Sequence, residues 1–100
     1  MVIASLAVFP TSEGASVSRY VREVIRVIEE SGLHSRTGGM NTTIEAPDLE
    51  TLFAVIQKAH DILVEMGAVR IHIDLTVDHR LDKNTSIDSK LSALDKSGKK

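Results

Sequence analysis

The sequence contains no cysteine and no tryptophan, and only two phenylalanines and one tyrosine among its 100 residues. Without cysteine there is no disulfide framework, no thiolate zinc site and no thiol catalysis, a composition that fits a reducing cytoplasm. So few aromatics leave a sheet without the stacking platforms on which single-stranded RNA is read. No charge of one sign dominates. Twelve basic against 14 acidic residues give a net charge of −2, so no global field draws nucleic acid or an anionic membrane. Long apolar runs are missing too: the opening "MVIASLAVFPTSEG" has no basic lead and breaks at Pro10, too short for a bilayer span and unlike a signal peptide.

What remains, 42% hydrophobic and 26% charged, is the composition of an ordinary globular domain. We read residues 1–96 as one domain and residues 97–100, "SGKK", as a flexible tail. Val2 to Phe9 is an almost unbroken apolar run and predicts a central strand covered on both faces. Ser16 is placed to cap a helix in which Val17, Val21, Val24 and Ile28 form the buried stripe, with Tyr20 and Ile25 flanking it and Gly32 just past its end. Leu33 to Thr37 and Thr42 to Ala46 read as two short strands around the Gly38-Gly39 turn. Asp48 caps a second helix with a stripe of Leu49, Leu52, Phe53, Ile56, Leu63 and Met66, closed by Gly67. In the last strand Val69, Ile71, Ile73, Leu75 and Val77 alternate with Arg70, His72, Asp74 and Thr76.

This order, with right-handed crossovers, predicts an α+β, ferredoxin-like βαββαβ sandwich. Two helices cover one face of a four-stranded antiparallel sheet, and a short C-terminal helix from Ser86 carries Ile87, Leu91 and Leu94. On the bare face the first strand presents Ile3, Ser5, Ala7 and Phe9, apolar enough to call for a covering layer, most simply another subunit. Thr43 and Glu45 share that face. A covered carboxylate needs a partner. Read from the residues alone, Glu45 has two choices: an ion pair with Arg70 or Arg36, or the N–H donors of a small ligand, with Thr43 and Ser5 as neutral polar companions.

Three segments carry a family resemblance: "PTSEGASVSRY" (10–20), "GMNTTIEA" (39–46) and "VRIHIDLTVDHRLDK" (69–83). In order and spacing they resemble the small thiamine-binding, ferredoxin-like proteins of the YkoF-like and MTH1187 type (UPF0045, DUF77). That resemblance implies a non-catalytic, cytoplasmic homotetramer, a dimer of dimers, that binds thiamine or its hydroxymethylpyrimidine part near the sheet face and a subunit interface. It places Glu45 and Thr43 at the ligand, together with Ser18 and Tyr20 of the first helix and Arg70 of the last strand. Thr11, Met40 and Asn41 join the same site on that basis, and Ser5 joins it from the bare face. Phe9, Met40 and Leu6 or Ile3 are available as apolar walls for a flat ring. The family usually has glycine where this chain has Ala46, and often Pro-Met-Gly where it has Gly39-Met40-Asn41, which implies a narrower pocket.

Other readings are weaker. An ACT-like regulatory module responding to another metabolite shares the architecture, and nothing in the residues sets it apart. Enzyme readings fare worse: "PTSEGAS" has no arginine for an acylphosphatase-like loop, and no Ser/His/Asp set has recognisable spacing. His72 and Asp74 share a strand face and His79 lies just beyond, but no third ligand comes at a defined spacing, so we expect no metal and no cofactor.

Overall fold

The structure, a computed structural model, describes residues 1–11, 17–39, 41–81 and 87. In chain order they form β1 (Val2–Pro10), α1 (Ser18–Glu30), β2 (Ser35–Thr37), β3 (Thr42–Ala46), α2 (Leu49–Glu65) and β4 (Ile71–His79). The strands lie in the order β2-β3-β1-β4 and every neighbouring pair is antiparallel. This is the ferredoxin-like arrangement that the element order predicts. Of the short C-terminal helix only Ile87, in helical conformation, belongs to the described residues, and the proposed tail lies outside them.

β1 holds the sheet together because it is central. Val2, Ala4, Leu6 and Val8 turn toward the helices and are buried there with Ile44 and Ala46 of β3. From above, α1 contributes Tyr20, Val24 and Ile28, and α2 contributes Leu52, Val55, Ile56, Ala59 and Leu63. Relative to the predicted stripe α1 is rotated so that Tyr20 is central, while Val17 and Val21 are only half-buried. Val17 occupies the N-cap position without a side-chain hydrogen bond, and Ser16 lies outside the described residues. Just past the Ser31 C-cap lies Gly32, whose φ of +79° suits a residue without a Cβ.

α2 departs from its predicted stripe at two positions. Phe53 is 51% exposed and Leu49 is also exposed. The cause is lateral offset: α2 packs on α1, β1 and β3, so residues on its other flank overhang β4. There Phe53 borders a hollow of about 280 Å³ with Ile56, Gln57, His60 and Ile73, and Ile73 and Val77 of β4 remain exposed on their helix side. Val69, assigned to the β4 alternation from sequence, precedes the strand and is exposed.

Leu52 has no exposed surface, so Leu52→Ala leaves a cavity and costs about 3 kcal/mol in urea unfolding; a loss under 1 kcal/mol contradicts its central position. Asp48 caps α2 by accepting a 2.7 Å hydrogen bond from the Thr51 main-chain N–H. Hydrogen bonds from Thr51, side chain first and main chain second, hold the Asp48 carboxyl below its ordinary range. A lowered folded value means the stabilisation is complete above the unfolded carboxylate range and fades as pH falls through the folded value. Asp48→Ala therefore lowers Tm by about 5 °C at neutral pH, and the gap to wild type closes in acid. A gap that persists unchanged below pH ~2 contradicts the cap.

Candidate functional site

The face away from the helices is built in rows by the strand register. Ile3 of β1 lies between Glu45 of β3 and Asp78 of β4, and Ser5 lies between Thr43 and Thr76. Pairing of β1 with β3 ends at Leu6 and Thr42, so Ala7 has Asp74 on one side and no β3 neighbour on the other. Phe9 faces His72, their ring centroids 5.0 Å apart and tilted by 33°. Into the space beside Ala7 comes Asn41, whose amide donates a hydrogen bond to the Ser5 hydroxyl. The result is a trough of about 190 Å³, lined by Ser5, Ala7, Asn41, Asp74 and Thr76.

Glu45 lies one row beyond that trough. Its Oε1 accepts a 2.7 Å hydrogen bond from the main-chain N–H of Ile87, 42 residues on. A carboxylate accepting from an amide makes a charge-assisted bond. Neither Arg36 nor Arg70 bonds this carboxylate, so the ion pair considered from sequence is replaced by a main-chain partner. Ile87 is 4% exposed and Ile3, on the same row as Glu45, is 6% exposed. At this end of the bare face the chain itself supplies the partner of the Glu45 carboxylate.

The remaining residues of the resemblance do not converge. Thr43, Ser5 and Asn41 gather at the trough. Tyr20 is buried on the helix side of the sheet, its hydroxyl 3.0 Å from the Arg19 guanidinium, which also lies 4.8 Å over its ring. Ser18 is exposed at the start of α1. Thr11 and Arg70 are exposed at the far end of β1, where the Thr11 N–H donates to the Arg70 carbonyl at 2.9 Å. From the Ile3 row to Thr11 is eight residues of extended chain, about 26 Å, farther than one small ligand reaches within a single chain. Met40 lies outside the described residues. Ala46, whose Cβ was expected to narrow the pocket, points into the core instead; Asn41, the other departure, does line the trough.

A second cavity, also about 190 Å³, lies between α1 and the sheet. Leu6, Val8, Val21, Val24 and Ile25 make its walls apolar, and Gly38 and Gly39 of the hairpin close it. Ala7 and Asn41 line both spaces, so the two cavities adjoin where β1 loses its β3 neighbour. No local pattern in the sequence marks Asp74 and Thr76 as trough residues. Alternation placed Asp74 on the polar face beside His72, but only the register shows which β1 side chain it opposes.

Similarities to known proteins agree with this architecture. A family model described as thiamine-binding protein matches residues 4–95. The chain is 36% identical over 101 positions to the UPF0045 protein YqgV of Bacillus subtilis, covering 96% of each chain. To the UPF0045 protein MJ1052 of Methanocaldococcus jannaschii it is 33% identical over 93 residues, covering 93% of this chain and 91% of that one. The crystal structure of MJ1052 superposes with a TM-score of 0.86 over 94% of this chain and 95% of that one. A Thermotoga maritima protein named as a candidate for thiamine biosynthesis or salvage shares the fold, at 24% identity and a TM-score of 0.81, over 93% and 97% of the two chains. With nearly its whole length matched, the chain belongs to the thiamine-binding protein family, the UPF0045 group.

Proposed function

We propose that this protein binds thiamine or its hydroxymethylpyrimidine moiety and releases it unchanged, as a cytoplasmic carrier, store or sensor rather than an enzyme. The single observation that supports this most is the family match across residues 4–95. The trough on the bare face is the site we favour. Its hydroxyls and amide, from Ser5, Thr76 and Asn41 with Thr43 alongside, can exchange hydrogen bonds with an aminopyrimidine's ring nitrogens and exocyclic amine. The Phe9 and His72 rings stand one row away on the same face and offer a flat, largely apolar flank.

We also propose self-association, as a dimer of dimers. In support, β4 is a nine-residue strand at the sheet edge, with no strand beyond it among the described residues. Ile73, Val77 and Phe53 expose apolar surface beside that edge. Long edges flanked by apolar side chains favour pairing with a second copy.

A thermal-shift panel tests the ligand, because only a compound that binds the native state raises Tm. Hydroxymethylpyrimidine or thiamine at about 100 times its Kd is expected to raise Tm by about 10 °C, with amino acids inert. A shift with amino acids alone would favour the ACT-like alternative and sink the thiamine reading. Native mass measurement tests the assembly. Four times the 10.9 kDa chain mass is expected, and a monomer at micromolar concentration contradicts it.

A further inference from the structure

We infer that Asp74, and not Glu45, is the carboxylate that receives the ligand's amino group, while Glu45 serves the fold by holding Ile87. This assignment rests on the pyrimidine-binding reading above and identifies the charged group within that site. The two carboxylates stand on opposite sides of the Ser5 row. Glu45 is level with Ile3 and Asp74 with Ala7, each about 7 Å along β1 from Ser5. Three differences separate them.

The first is position. Asp74 lines the trough together with Ser5, Ala7, Asn41 and Thr76, and Glu45 does not line it. The second is engagement. Glu45 Oε1 is occupied by the Ile87 N–H at 2.7 Å, whereas the Asp74 carboxylate makes no hydrogen bond or ion pair among the described residues. An acceptor already committed to a main-chain donor would have to abandon it to bind a ligand, and the freed amide would lose its partner in a half-buried place. Asp74 has no such cost. The third is surroundings. Asp74 has a hydroxyl (Thr76) and an amide (Asn41) in the same cavity, with the small side chain of Ala7 leaving the space open.

The chemistry recognised by this set is a flat heterocycle bearing adjacent N–H donors. A carboxylate can take two parallel N–H bonds from a 4-aminopyrimidine protonated on its neighbouring ring nitrogen, the same fork geometry by which it accepts arginine. The trough, about 190 Å³ and open to solvent, presents Asp74, Asn41 and Thr76 to the ring that carries the N–H donors. The pyrimidine is therefore the part set against the sheet. Whatever is attached to it projects away from the sheet.

Calorimetric titration of hydroxymethylpyrimidine into the full chain, paired with ligand-free Tm, tests the assignment. Asp74→Asn should weaken binding by about 10- to 100-fold at unchanged Tm, since the Asp74 carboxylate is exposed and bonds no other described residue. Thr76→Val should weaken it by a smaller factor, about 5-fold. Glu45→Gln should lower Tm by several degrees while keeping affinity within about 3-fold at temperatures where the chain is folded. If wild type binds and Asp74→Asn binds equally well, the assignment is overturned and the pyrimidine reading stands. The same holds if Glu45→Gln alone abolishes binding. If wild type itself binds no pyrimidine, both fall together.

Discussion

The register of β1 between β3 and β4 is the constraint from which both faces of the sheet follow. Because side chains alternate, fixing Ile3 opposite Glu45 and Asp78 also fixes Ser5 between Thr43 and Thr76 and Ala7 opposite Asp74. A slip of one residue would turn Leu6 and Val8 out of the core and bring Ser5 into it, so burial on the helix side enforces the polar pattern on the other side. The same register stops β3 three residues short of Phe9, and that shortfall opens the space beside Ala7. The site is a consequence of unequal strand lengths.

Much of this was legible in the chain. Period-two alternation assigned the faces of β3 and β4, whereas β1, apolar in both phases, gave only its parity and not which side meets the helices. Local chemistry marked the ends of α2, with Asp48 accepting from Thr51 and Gly67 at a φ of +93°. What escaped depends on how elements sit relative to one another. Phe53 has the spacing of a core residue, yet α2 lies over β3 and β1 and leaves it beside β4 at the surface. Tyr20 reads as a flank residue and is central, because α1 is rotated on the sheet.

The carboxylates illustrate the same limit. From sequence, Glu45 stands out as a charge in a β-branched strand, and two partners of opposite kind suit it. The structure supplies a third, the amide of Ile87, which no local pattern announces across 42 residues. Asp74 was unremarkable, one polar residue in a polar row. Its distinction is the empty space in front of it, and that space exists only once Asn41 and Ala7 are brought together by the end of the β1–β3 pairing.

The division of labour between these two groups can be observed directly in solution. Carbon-13 NMR of the side-chain carboxyls, followed while hydroxymethylpyrimidine is added, reports on each group separately. The Asp74 resonance should move in proportion to occupancy while that of Glu45, already bonded to Ile87, stays in place. Movement of Glu45 with Asp74 unmoved would contradict the central claim.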